Sequence, residues 1–210
     1  GPEHPHVAFP LNNLAELLQT QGSYAEARPL YERALAIREK AHGPEHPRVA
    51  TALNNLALLL QDLGSYAEAR PLYVRSLVIM EKSLGPEHPY VATSLNNLAE
   101  LLRTHGSYAE AHPLYKRSLA IREKSLGPED PYVALSLNNL AGLLDAHGSY
   151  AEARPFYERG MSITLKHLSK NMGTMTETER FQYLKIQTSP EPLLLNLIAM
   201  GSGGEGKANG

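Results

Sequence analysis

Residues 43–84 read GPEHPRVATALNNLALLLQDLGSYAEARPLYVRSLVIMEKSL, and the stretch recurs at a fixed 42-residue step through most of the chain. The copies span 1–42, 43–84, 85–126 and 127–168, with no insertion or deletion between them. Self-similarity at a step of roughly 20–50 residues marks stacked supersecondary units. Within the unit, Leu53, Leu56, Ala57 and Leu60 fall on one face of a helix, helix A. Gly64 breaks the pattern, and Ser65 followed by Glu68 has the form of a capping box opening a second helix, helix B. The apolar face of helix B is Ala69, Leu72, Tyr73, Leu77 and Met80. Gly85-Pro86 ends it, with a left-handed glycine expected at the stop. Each unit is therefore expected to be a helical hairpin.

Small residues recur where two helices would meet: Ala15, Ala57, Ala99 and Ala141 on helix A, and Ala27, Ala69, Ala111 and Ala153 on helix B. Larger side chains there would force the axes beyond the roughly 8–10 Å of ordinary helix packing. Neither helix can bury its stripe alone, so neighbouring hairpins must stack.

The series Leu53-x2-Leu56-Ala57-x2-Leu60, then Gly64, Tyr66 and Ala69-x3-Tyr73, resembles the tetratricopeptide (TPR) pattern, with Leu for Trp, Ala for Gly and Leu for Tyr in helix A. The added length per repeat falls in helix B and in the G-P-E-H-P turn. With its L-N-N-L-A and A-x-x-x-R-E-K-x-x-G-P-E-H-P strings, the variant is similar to the repeats of kinesin light chains and of bacterial proteins that join such arrays to a caspase-like CHAT protease domain. The resemblance implies an all-α fold, a right-handed TPR-like solenoid of four repeats over 1–168. Alternative folds fit less well: a WD40 propeller needs strands and a Trp-Asp signature, and HEAT repeats lack the Gly-x-Tyr turn. C-terminal capping helices are expected over 169–200, and 201–210 (GSGGEGKANG) reads as a flexible tail.

The chain has 210 residues, net charge −2 and no cysteine. Disulfides, thiolate metal sites and a cysteine nucleophile are thereby excluded, and the composition fits a cytoplasmic protein. Neither a Lys/Arg cluster nor a long apolar run occurs, which argues against nucleic-acid and membrane partners. A first residue of Gly, falling within the turn, suggests a piece of a longer array.

Individual copies depart from the pattern. Pro10 stands where the other repeats have Ala52, Ser94 and Ser136, and should start the first helix A late or kink it. Pro29, Pro71, Pro113 and Pro155 lie inside helix B and predict a bend near its start. In the fourth repeat Leu165 replaces Glu39, Glu81 and Glu123; Thr164 replaces Arg38 and Arg122; Gly160 replaces Ala34, Ser76 and Ser118. A charged outer site turned apolar would be covered, and the candidate cover is 174–200. There Thr176-Glu177-Thr178-Glu179 resembles another capping box, and Leu193, Leu194, Leu195, Leu197 and Ile198 a short apolar helix.

The helix A face opposite the core carries Thr51, Asn54, Asn55, Leu58, Gln61 and Asp62. All copies keep the paired asparagines Asn12-Asn13, Asn54-Asn55, Asn96-Asn97 and Asn138-Asn139. Flanking positions vary: Phe9/Thr51/Thr93/Leu135, Glu16/Leu58/Glu100/Gly142, Gln19/Gln61/Arg103/Asp145 and Thr20/Asp62/Thr104/Ala146. An amide both donates and accepts, so a row of asparagines could hold the backbone of an extended peptide. Glu16, Leu58, Glu100 and Arg103 would then select its side chains. Equally, the amides could bridge adjacent A helices, or one asparagine of each pair could do each job. The resemblance implies a concave groove lined by A helices, with the second asparagine (Asn13, Asn55, Asn97, Asn139) facing it.

The expected function is therefore a non-enzymatic protein-interaction module, or alternatively an array that positions a fused effector such as a CHAT protease. Glu16, Asp62, Glu100 and Asp145 against Arg103 make the groove mildly acidic and favour a neutral or basic partner segment. Kinesin light chains, by resemblance, use basic groove residues for acidic, tryptophan-centred cargo, and those residues are missing here. Exposed array ends permit end-to-end association. No cofactor is implied. His4, His46 and His88 recur once per turn, too far apart to share an ion, and read as turn caps before proline. Arg33, Arg75, Arg117 and Arg159, interleaved with Glu32, Glu39, Glu81, Glu123 and Glu158, read as a solvated ion-pair face, not an RNA stripe. The eight repeated tyrosines read as packing residues.

Overall fold

The computed structural model describes residues 4–173 and Thr176. A 3-10 helix, Pro5–Val7, precedes α1 (Ala8–Thr20), α2 (Tyr24–His42), α3 (Pro47–Asp62) and α4 (Tyr66–Leu84). Then follow α5 (Pro89–Thr104), α6 (Tyr108–Leu126), α7 (Pro131–Ala146) and α8 (Tyr150–Met172). Odd-numbered helices are the A helices and even-numbered ones the B helices. Among the described residues there is no strand. The chain divides into two compact units, Gly1–Thr164 and Leu165–Gly210. In the first unit, within the run from α1 to α7, each helix packs on the next, and α3, α5 and α7 also touch in succession. The fold is an all-α repeat solenoid.

The predicted face of α3 is buried, whereas on α4 Ala69, Tyr73 and Met80 are buried and Leu72 and Leu77 only half-buried. Val49, Leu53, Ala57 and Leu60 of α3 are sealed, as are Ala69, Tyr73, Ile79 and Met80 of α4. All eight repeated alanines are buried, as close helix approach requires. Leu56, Leu98 and Leu140 are buried, as are Leu59, Leu101 and Leu143, whereas their counterparts Leu14 and Leu17 on α1 are exposed. Among the described residues no B helix precedes α1 to cover them.

Pro10 acts as expected: the first repeat enters through a 3-10 turn, and α1 has 13 residues where α3, α5 and α7 have 16. Pro29, Pro71, Pro113 and Pro155 are accommodated without interrupting their helices.

Four local expectations need correction. The serine capping box does not form, because Ser65 stands at the N-cap but makes no side-chain cap bond. Its carbonyl accepts instead from the amides of Glu68 (3.1 Å) and Ala69 (3.0 Å). The Glu68 carboxylate accepts from Arg28 of the preceding repeat at 2.9 Å. Ser23 and Ser107 are likewise uncapped. Side-chain capping occurs at the A helices, where Nδ1 of His46 and His88 accepts from the Arg48 and Tyr90 amides and Asp130 Oδ1 from that of Tyr132. Proline supplies the first helical residue in each case.

Second, Gly85 ends α4 at φ 89°, ψ 154°, and not in the left-handed helical region. Positive φ with extended ψ is essentially confined to glycine, so the requirement is stricter than for an ordinary cap. Ser169 stands at the equivalent place after the fourth repeat, and α8 runs on to Met172.

Third, Arg122 is not an outer site. It is 5% exposed, donates to Ser136 Oγ (2.8 Å) and the Tyr132 carbonyl (3.2 Å), and lies 5.7 Å from the Tyr132 ring centroid. Burial holds its guanidinium below the ordinary value.

Fourth, Gly160 makes room within its own repeat. A Cβ there would lie 2.5 Å from Asn138 Oδ1, whereas Ser76 and Ser118 at that position donate to the Ala50 and Ala92 carbonyls at 2.8 Å. Leu165 is exposed and Leu168 buried. The segment expected to cover Leu165, and the capping helices and tail beyond α8, lie outside the described residues apart from Gly173 and Thr176.

The interleaved charges form the expected ion-pair face, arranged between repeats. Arg75 pairs with Glu39 (2.7 Å), Arg117 with Glu81 (2.5 Å) and Arg159 with Glu123 (2.5 Å). Each arginine also donates to a turn-proline carbonyl, Pro44, Pro86 or Pro128. Such partly exposed pairs contribute at most about 1 kcal/mol each. Their chief effect is to hold the register between adjacent hairpins.

Candidate functional site

Across successive A helices the asparagines form a ladder, buried at Asn12 and half-buried at Asn54, Asn55, Asn96, Asn97 and Asn139. Asn55 Nδ2 donates to Asn12 Oδ1 at 2.9 Å, Asn97 Nδ2 to Asn54 Oδ1 at 2.9 Å, and Asn139 Nδ2 to Asn96 Oδ1 at 2.8 Å. The second asparagine of each A helix thus reaches back to the first of the preceding one. Two side chains that neighbour each other in sequence serve different interfaces.

Each ladder bond uses one donor and one acceptor and leaves the other amide atoms for other partners. No buried side-chain nitrogen or oxygen among the described residues lacks a hydrogen-bond partner, so ladder atoms without one reach solvent. Asn13 and Asn138, at the outer positions of the ladder, are exposed.

Behind the ladder stand the helix B tyrosines. Tyr31, Tyr73 and Tyr115 bury their rings in the core and send the hydroxyl through to the A-helix face. Tyr31 donates to Gln19 Oε1 (2.9 Å), Tyr73 to Gln61 Oε1 (3.2 Å) and Tyr115 to Glu100 Oε2 (2.6 Å). Burial, reinforced by the charges of Glu16 and Asp62, pushes the Tyr31 hydroxyl up to about 12. Tyr73 and Tyr115 are raised further, again first by burial. All three stay protonated as fixed donors that orient Gln19, Gln61 and Glu100. The hydroxyl partners go beyond the packing role the sequence predicts, because they lie on the neighbouring A helix.

The residues expected to select a ligand fall into two kinds. Glu16 and Leu58 are exposed, Leu58 by 42%. Glu100 and Arg103 are bound to each other, with Arg103 Nε 2.9 Å from Glu100 Oε2 and Nη2 2.5 Å from Oε1. Burial alone would raise the Glu100 carboxyl, but hydrogen bonds from Arg103 and Tyr115 outweigh it and hold the group below its usual range. Asp62 accepts from Gln19 Nε2 at 2.6 Å, linking α3 to α1. With Arg103 neutralised by Glu100, the charge left on this face comes from Glu16, Asp62 and Asp145, all acidic and exposed.

Among the described residues no group of three or more His, Cys, Asp or Glu is arranged to hold a metal ion. His4, His46 and His88 are committed to helix caps. His105 and His147 lie against Tyr66 and Tyr108, with ring centroids 5.4 and 5.6 Å apart. Among the described residues no helix is long and apolar enough to cross a membrane.

The sequence profile of the tetratricopeptide repeat matches residues 6–77, 48–124 and 113–166. The chain belongs to the tetratricopeptide repeat family. Among solved structures, the TPR array is similar to BtubC (BKLC) from P. vanneervenii, with TM-score 0.69 and 27% identity over 82% of this chain and 67% of that one. It is also similar to the nearly identical TPR-like repeats of a Podosopora anserina kinesin light chain, with TM-score 0.67 and 32% identity over 80% and 79% of the two chains. Aspartyl phosphate phosphatase F from Bacillus subtilis shares the fold at 17% identity and TM-score 0.67, over 87% of this chain and 45% of that one. No curated protein sequence matches this one. The TPR membership makes the chain a protein-interaction module of a kind that is typically non-enzymatic.

Proposed function

We propose that the array binds an extended protein segment along the concave face of its A helices. The observation that carries this is the amide ladder: it places the same amide pair on each successive A helix and flanks it with exposed side chains that differ between repeats. Amide atoms outside the ladder bonds hydrogen-bond the segment's backbone, while Glu16 and Leu58 select its side chains. Arg103, tied to Glu100, acts by shaping the face. The acidic surplus of Glu16, Asp62 and Asp145 favours a neutral or basic segment.

A display screen of random peptides tests this, run on the parent and on a Glu16→Lys, Leu58→Lys variant. Both positions are exposed, so folding is preserved and the ladder left intact. A motif enriched on the parent and lost on the variant supports groove binding. Enrichment on neither, or equally on both, rejects it.

A further inference from the structure

The junction of the first two repeats holds a pocket of about 390 Å³ where the ends of α1, α2 and α3 meet, lined among others by His6, Phe9, Arg38, His42, Arg48 and Thr51. The positions of Arg38, His42 and Arg48 carry Met80, Leu84 and Tyr90 at the second junction, and Arg122, Leu126 and Tyr132 at the third. The cluster of basic groups therefore belongs to one place in the array.

The groups lie close together. Arg38 Nη1 donates to the Arg48 carbonyl at 3.1 Å, Arg48 Nη1 lies 3.4 Å from His42 Nε2, and the His42 and His46 rings stack with centroids 4.7 Å apart. Among the described residues no carboxylate pairs with Arg38 or Arg48, whereas Arg28, Arg70, Arg75, Arg117 and Arg159 each have at least one. Burial, followed by the charge of Arg48, holds Arg38 below its ordinary value. His42 is lowered by desolvation and then by His46, Arg48 and Arg38. Mutual repulsion of this kind is relieved by an anion, and a guanidinium fork matches carboxylate and phosphate geometry.

We propose that Arg38, His42 and Arg48 form an oxyanion site that receives a carboxylate or phosphate group of a bound protein segment, with Phe9 and Thr51 beside it. That the carrier is a protein segment rests on the groove binding proposed above; the anion site does not. Phe9 and Glu16 are seven residues apart on α1, about 10 Å along its axis. The segment would therefore carry an acidic group for the pocket and a neutral or basic one for Glu16, spaced accordingly.

The test is a titration of the isotopically labelled chain with inorganic phosphate and with acetate, followed by amide and side-chain NMR shifts at constant ionic strength, slightly below neutral pH. Saturable shifts confined to Arg38, His42, Arg48 and Thr51 are expected. Arg38→Met with Arg48→Tyr, which copies the second junction, should weaken binding at least about tenfold, the contribution of a hydrogen bond to a charged group. Arg48→Gln, at an exposed position, gives the same direction without disturbing the core. A preference for phosphate assigns the pocket to a phosphorylated side chain, and equal affinity assigns it to Asp or Glu. Shifts that never saturate, that spread over all basic residues, or that survive both variants overturn the proposal. Because the probes are small anions, that failure leaves groove binding standing.

Discussion

Asn97→Ala removes the donor of the central ladder bond, which spans 2.9 Å to Asn54 Oδ1 and is partly buried. A neutral hydrogen bond of this kind contributes about 0.5–1.5 kcal/mol net, so the substitution should destabilise by about 1 kcal/mol. In a domain of this size that lowers Tm by about 2–4 °C. Asn54→Ala deletes the acceptor of the same bond and should cost a similar amount. The double variant should then lose little more than either single one, a coupling of about 1 kcal/mol in a double-mutant cycle. Asn13→Ala is the control: Asn13 is exposed and takes part in no ladder bond, so its loss should stay within about 0.5 kcal/mol. Thermal and urea unfolding followed by circular dichroism would read all four variants. Additivity of Asn54→Ala and Asn97→Ala to within about 0.3 kcal/mol would refute the ladder as a structural bridge. Both asparagines would then be available to a ligand.

Gly85→Ala should destabilise by about 1–3 kcal/mol in a melting experiment. Nothing lies within 4 Å of the added Cβ, so the cost is purely the backbone at φ +89°, and an unchanged Tm would show that the turn relaxes freely. Gly142→Ala should do the opposite: its Cβ meets only Tyr157 Oη at an ordinary 3.6 Å, and alanine inside α7 gains about 0.5–1 kcal/mol. Glu100 gives a pH dependence. Its folded-state value is depressed, so its contribution is present above the ordinary carboxylate range and fades as pH falls through the lower folded value. The Tm of the parent should therefore fall more steeply in acid than that of Glu100→Gln, and parallel curves would contradict the assigned ion pair.

The repeat, the hairpin and the buried stripes were legible in the chain because they follow from local rules: helical spacing, glycine and proline punctuation, and small residues at close approaches. Leu53, Leu56, Ala57 and Leu60 are buried by the same periodicity that reveals them. Which partner a polar side chain chooses is a different kind of fact. Ser65 and Glu68 had the right spacing for a capping box, yet the stacked neighbour offers Glu68 the charged Arg28, and side-chain capping falls instead to the A helices, through His46, His88 and Asp130. Asn54 and Asn55 are adjacent in sequence, but the helical turn between them points one toward the following A helix and the other toward the preceding one. The same holds at the first junction, where Arg38, His42 and Arg48 meet only once α2 and α3 are packed. The sequence by itself determined a tetratricopeptide array and the face on which variation falls. The pairing of amides, the tyrosine donors behind them and the basic pocket were decided by contacts between separate helices, whose distances no local pattern encodes.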